Sequence, residues 1–219
     1  METIGTMNGL AWADHPIRSR LNAWFFRAMD GYMHRKYDRI KSELFGGLPR
    51  VVVEIGAGGG ANLRYLRAGS HVVALEPNVH MHPFLRSAAE RAGVTVEVHA
   101  DGAERIPLAD ASVEAVISSL VLCSVSDPRR VLSEIRRVLR PGGRFWCLEH
   151  VAAPAGSALE RLQRAVRSPW RWLFEGCDTQ RDIAGLLREA GFGAVEITPF
   201  TLRTAFLPIR SQIAAVAVR

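Results

Sequence analysis

Apolar and polar positions along this chain switch repeatedly between a period of about 3.6 and runs typical of buried strands, and that alternation sets the expected architecture. Across 17–45 the side chains Leu21, Trp24, Phe25, Ala28, Met29, Tyr32 and Met33 fall on a helical stripe. The spacing predicts an amphipathic N-terminal segment, read as two helices hinged near Gly31 and stopped at Gly46 and Gly47. Pro49 leads into an apolar strand at 50–55, followed by a glycine cluster and a helix over 60–68. A strand at 71–75, a helix over 79–92 and a strand at 94–98 come next. The pattern continues with a strand at 112–119, a helix over 128–140 and a strand at 143–150. Past Val151 it loosens into a helix and an irregular aromatic loop, then returns as a helix over 179–190 and strands at 194–198 and 212–219.

Strands that alternate with helices of about 10–14 residues predict βαβ units. The expected fold is α/β, a doubly wound, mostly parallel seven-stranded sheet with an N-terminal helical cap. No repeat or linker divides the chain, so one domain over 1–219 is expected, with the cap at 1–46, a ligand-binding core at 47–152 and a substrate-side insertion with the last strands at 153–219.

Composition narrows the class. A chain of 219 residues, 48% hydrophobic and 23% charged, suits one globular α/β domain. No apolar run reaches the roughly 18 residues of a membrane span. The first twenty residues lack a basic start followed by an apolar signal core, and the expectation is a cytoplasmic enzyme. The net charge of +6 is carried almost wholly by arginines spread from Arg18 to Arg219, with Lys36 and Lys41 the only lysines. Without a nucleic-acid motif or a basic face, no nucleic-acid partner is expected. Cys123, Cys147 and Cys177, odd in number and without CxxC spacing, fit neither a disulfide framework nor a zinc site, and no metal is expected.

The chemistry concentrates in "VVVEIGAGGGANLRYL", 51–66. In an open parallel sheet the loop after the first strand is the usual ligand cradle. Gly56, Gly58 and Ala61 satisfy a loose dinucleotide pattern, so a nicotinamide oxidoreductase has to be weighed. Glu54, two residues before Gly56, argues otherwise. A carboxylate at about 4 Å from a phosphate costs roughly 4 kcal/mol at an effective dielectric near 20. The same group favours a cation. Glu76, closing the second strand and followed by Pro77, stands where an acid accepts both ribose hydroxyls. Two acids around one glycine loop point to S-adenosylmethionine (SAM), a sulfonium without phosphate.

From these residues the sequence resembles the class I SAM-dependent methyltransferases, through "VVEIGAGGG", "LEPN", "DGAERIPLADASVEAVISSLVLCSV" and "VLSEIRRVLRPGGRFWCLEHV", roughly 50–152. Within them, "LVLCSVSDPRRVL", "RRVLRPGG", "EHV" and "SPWRWLFEGCDTQRD" are similar to the thiol S-methyltransferases of small molecules and their bacterial relatives. The resemblance implies a Rossmann-like methyltransferase fold, with Glu54, Gly56, Ala57, Gly58, Glu76 and Pro77 around the ribose and methionine of SAM. It places adenine beside Asp101, Gly102 and Ala103, with Glu104 an alternative to Asp101, and puts Ser119 and Leu120 at the methionine end.

The protein's remaining task is to align a nucleophile with the methyl group and to handle a proton. A thiol is a few per cent thiolate at neutral pH and needs little base catalysis, so methylation of a small thiol is expected first. Oxygen, nitrogen or carbon acceptors are the alternatives. His150 is the candidate proton acceptor, with Glu149 the neighbouring acid that sets its tautomer. Trp24 and Phe25, with Trp170 and Trp172, are expected to close an apolar lid over the acceptor, and Cys177 to border its mouth. Arg161, Arg164, Arg167 and Arg171 recur at helical spacing, read either as a solvated basic face or as weak membrane-surface contact.

Overall fold

The computed structural model describes residues 16–219. Residues 1–15 of the expected cap lie outside the described residues. Seven strands form one sheet: β1 (Val51–Ile55), β2 (His71–Leu75), β3 (Thr95–His99), β4 (Val113–Ser119), β5 (Leu139–His150), β6 (Ala194–Thr201) and β7 (Ser211–Val218). Their order is β3-β2-β1-β4-β5-β7-β6. β1 to β5 pair in parallel, and β7 runs antiparallel between β5 and β6. The chain reverses direction across the sheet between β1 and β4, where such sheets open a crevice at their carboxyl ends.

β1, β2 and β4 read as continuous apolar runs because both of their faces are covered. On one face Val53, Ile55 and Val116 meet the helices α3 (Pro128–Val138) and α5 (Ile183–Glu189) through Val131, Ile135, Ile183 and Leu187. On the other, Val52, Ala115 and Ile117 pack under Phe45 of α1 (Pro16–Phe45), while Val72 and Ala74 pack under Leu85 and Ala89 of α2 (His82–Ala92). Side chains alternate along a strand. Glu54 therefore shares the α1 face with Val52. On β5, Phe145 and Cys147 belong to the α3 face and Leu148 to the α1 face, so Glu149 and His150 point to opposite sides of the sheet.

Three local expectations change. The N-terminal segment is one continuous α1, without a hinge: Gly31 is exposed, and its helix penalty of about 1 kcal/mol is outweighed by packing on either side. The helix expected over 60–68 is only a 3-10 turn, Leu63–Tyr65, because Gly58 and Gly60 take left-handed backbone angles and Asn62 is bonded to other elements. β5 starts at Leu139, four residues before the expected boundary, where Leu139 pairs with Val113. The caps follow local rules: Asp127, Ser157 and Asp182 accept from backbone N–H groups at the starts of α3, α4 (Ala158–Leu173) and α5. No helix among the described residues is long and apolar enough to cross a membrane.

Candidate active site

A cavity of about 980 Å³ opens at the carboxyl ends of β1, β2 and β4, near the upper end of the size range for ligand pockets. Residues 56–59, Glu76, Pro77, 102–104 and 119–121 line the sheet side, and Tyr37, Lys41 and Phe26 of α1 line the opposite side. Phe174, Glu175 and Gly176, from the loop after α4, complete the wall.

The glycine loop is shaped for close approach. Gly56 has φ +59°, and a Cβ there would lie 2.4 Å from Val121 Cγ2. The N–H of Gly58 donates to Glu76 Oε2 at 2.6 Å, and the N–H of Asn78 donates to Oε1 at 2.9 Å. Both oxygens are thereby oriented while each keeps acceptor capacity. Burial pushes the Glu76 carboxyl up to about 7, against those two hydrogen bonds.

Glu54 is completely buried and is not part of the cavity wall. Its Oε1 accepts from Asn62 Nδ2 at 2.7 Å, and Asn62 Oδ1 accepts from Lys41 Nζ at 2.7 Å. Asn62 and Lys41 do line the cavity, so the Glu54 charge reaches it through this relay. Burial pushes Glu54 up to about 7, and burial brings Lys41 down to about 8 against the pull of Glu54. Two buried oxygens here, Glu54 Oε2 and Ser119 Oγ, have no hydrogen-bond partner among the described residues. Ser119 lines the cavity, and an unsatisfied buried hydroxyl there suits a ligand that supplies a donor, while Glu54 Oε2 stays sealed behind the wall. With Glu76 facing the same space, the residues fit a molecule bearing ribose hydroxyls and a cationic end.

The remaining sequence candidates divide. Gly56, Ala57, Gly58, Pro77, Gly102, Ala103, Ser119 and Leu120 all line the cavity. Leu120 does so with φ 62°, a left-handed conformation uncommon outside glycine and frequent at functional sites. Asp101 is exposed and off the wall, whereas Glu104 is on it. Trp24 is 68% exposed and faces away. Phe25 packs at ring distances of 5.8 Å from Phe174 and 6.1 Å from Phe206, and Trp170 lies 4.3 Å from Phe174. Neither Phe25 nor Trp170 lines the cavity; Trp172 does, at its rim. Asn22 ties α1 to this segment, donating to the Leu173 carbonyl at 3.0 Å. Arg167 is exposed on α4 and also makes a two-point ion pair with Asp178, at 3.0 and 2.7 Å.

His150, Glu149 and Cys177 are buried beneath the cavity, outside its wall. Glu149 has no hydrogen bond to His150, because strand alternation sends the two apart. Its Oε1 accepts from Ser118 Oγ and from the N–H groups of Val121 and Leu122, at 2.9–3.0 Å, and so holds the loop after β4. His150 Nε2 lies 3.0 Å from Cys177 Sγ instead. Burial alone would lower the His150 pKa, but the neighbouring Cys177, with Glu149 and Asp178, raises it.

Sequence reasoning missed Lys41, Tyr37 and Asn62. Tyr37, Lys41 and Phe45 recur at intervals of four, a pattern that marks one helix face and was the available signal. Burial pushes the Tyr37 phenol above its ordinary value and keeps it neutral at the cavity wall.

Residues 53–147 match the family model described as a methyltransferase domain. Human thiol S-methyltransferase TMT1B is 36% identical over 197 residues, covering 85% of this chain and 81% of that protein. Human thiol S-methyltransferase TMT1A is 34% identical over 190 residues, covering 82% of this chain and 78% of that one. Among solved structures, a SAM-dependent methyltransferase from Thermotoga maritima shares the fold with a TM-score of 0.66 at 21% identity, covering 92% of this chain and 97% of its own. The chain belongs to the class I SAM-dependent methyltransferase family, uses S-adenosylmethionine as its cofactor, and groups with the proteins named thiol S-methyltransferase.

Proposed function

We propose that this enzyme methylates small thiols by in-line transfer from SAM. The observation that carries the reading is the identity to two human proteins named thiol S-methyltransferase, which extends over more than four fifths of this chain. When bound, SAM supplies an electrophilic methyl group and its own leaving group. In this reading Glu76 accepts from the ribose hydroxyls, and residues 102–104 border the adenine. The Lys41–Asn62–Glu54 relay and Ser119 hold the charged amino-acid end. Met33, Phe26 and Trp172 then shape the acceptor side and keep water from the reacting atoms.

A thiol suits this wall because its own acidity supplies the nucleophile, leaving the protein mainly to position it. His150 and Glu149 act here as positioning residues, bracing from below the loops that carry Ser119, Leu120 and Gly176. The test is incubation with methyl-labelled SAM and a panel of small thiols, phenols and amines, read by mass spectrometry. Methyl transfer to sulfur is expected, with a rate that rises with pH as the acceptor approaches its pKa near 8.5. Phenols or amines turned over while every thiol is left untouched would replace this reading with an oxygen or nitrogen acceptor.

A further inference from the structure

Beneath the cavity three side chains from separate parts of the chain converge. Cys123 lies in the loop after β4, His150 ends β5, and Cys177 lies in the loop after α4. Their ligand atoms all fall within 4.8 Å of one another, and all three residues are buried. Cys177 Sγ is 3.0 Å from His150 Nε2 and 3.9 Å from Cys123 Sγ. We propose that Cys123 Sγ, Cys177 Sγ and His150 Nε2 form a binding site for zinc(II).

The sulfur separation matches the ion. Zinc–sulfur bonds of about 2.3 Å at tetrahedral angles set two thiolates about 3.8 Å apart. A zinc–nitrogen bond of about 2.0 Å requires the His150–Cys177 separation to open to about 3.5 Å, a movement of roughly half an ångström. Charge favours the same ion. A dication with two thiolates and a neutral imidazole sums to zero, the least costly state for a buried site. Binding forms two Zn–S bonds and one Zn–N bond, takes a water molecule as the fourth tetrahedral ligand, sends the thiol protons to solvent, and involves no oxidation or reduction.

The scaffold holds the ligands before any ion arrives. A Cβ on Gly176, where φ is +93°, would lie 2.8 Å from the Ser124 carbonyl, so only glycine lets the two cysteine loops approach this closely. The Asp178 N–H donates to the Cys123 carbonyl at 2.8 Å and clamps the loops together. Arg181 Nη1 donates to the carbonyls of Leu122 at 2.6 Å and Val125 at 2.8 Å, fixing the first loop, while the Arg167–Asp178 pair anchors the second to α4. The Trp170 indole N–H points at Cys177 Sγ from 3.2 Å, the place of an outer-shell donor to a bound thiolate. The third cysteine, Cys147, is buried in the α3-side core and is not part of the cluster.

The experiment uses the whole, reduced protein after chelator stripping, titrated with zinc(II) against a chromophoric competitor and separately with cobalt(II). One equivalent of zinc is expected, and the cobalt protein should show a sulfur-to-cobalt charge-transfer band with intense tetrahedral ligand-field bands. Cys123→Ser and Cys177→Ser should each weaken zinc binding more than about 100-fold, and Trp170→Phe about tenfold, the smaller effect of an outer-shell partner. Cys147→Ala should leave the affinity unchanged. Retained binding of S-adenosylhomocysteine confirms that each variant is folded. The proposal falls if the wild-type cobalt protein lacks the sulfur band. It falls equally if zinc binds with an affinity that neither Cys123→Ser nor Cys177→Ser alters, which marks an adventitious ion only.

Discussion

Glu54 and Glu76 both close strands of the same sheet, yet their surroundings give them different work. Glu76 faces the cavity with two oriented oxygens, whereas Glu54 is sealed behind Asn62. Hydrogen bonds to a charged partner contribute about 1.5–3 kcal/mol, so Glu76→Gln is expected to weaken S-adenosylhomocysteine binding about 10- to 100-fold. An acid raised to about 7 must lose its proton for both of its oxygens to accept from the ribose hydroxyls. Wild-type affinity should therefore fall by up to about tenfold per pH unit below that value, while Glu76→Gln keeps only the shallower dependence that Glu54 contributes through its relay. Calorimetric titration across the range decides it: a wild-type affinity independent of pH would remove Glu76 from the ribose. Glu149 and His150 are sequence neighbours, but one braces the loop after β4 and the other meets Cys177.

Among the elements, α1 departs most from its expected behaviour. Its apolar stripe suggested one lid-forming face, but of that stripe only Met33 lines the cavity, beside Phe26, Tyr37 and Lys41, while Phe45 packs on the sheet. Ile17, Leu21 and Trp24 lie on an exposed face of the same helix. Periodicity locates an apolar side; it does not say which part of a long helix the rest of the chain will cover. What joins α1 to the segment after α4 is the aromatic group of Phe25, Phe26 and Phe174, with Asn22 beside it. Aromatic pairs of this kind contribute about 0.5–1.5 kcal/mol beyond area burial. A double-mutant cycle of Phe25→Ala and Phe174→Ala, followed by thermal unfolding, should give a coupling energy in that range. A raised acceptor KM with little change in SAM affinity should accompany each single variant. Additive losses of stability would show that the two elements are not coupled through these rings.

For the molecule as a whole, three buried charges tie stability to pH. Glu54 and Glu76 have folded-state pKa values raised to about 7 from 4.5, so between those values the folded chain holds more protons than the unfolded one. Their contribution to stability is largest at low pH and is lost as pH rises to about 7. Lys41, lowered to about 8 from 10.5, holds fewer protons when folded, so its cost fades as pH rises through that window. The two glutamates predict that the cofactor-free protein loses on the order of a few kcal/mol between about pH 5 and pH 7.5. Glu76→Gln should recover much of this loss. Thermal unfolding of both proteins at several pH values checks it, and a wild-type midpoint that climbs steadily over that interval would contradict it.

The strand–helix alternation, the glycine loop and the acid at Glu76 were legible in the chain itself. Each rests on local physics: side-chain period, backbone freedom at glycine, and the place of an acid at a strand's carboxyl end. The relay from Lys41 to Asn62 joins residues 21 apart, and the Cys123–His150–Cys177 cluster joins residues 27 and 54 apart. No spacing rule connects such positions, because the folded sheet places strand ends and returning loops side by side whatever their distance along the chain. Glu149 and His150 show the same limit from the other side. Adjacency in sequence made them look like a pair, and the two-residue period of a strand covered on both faces separated them.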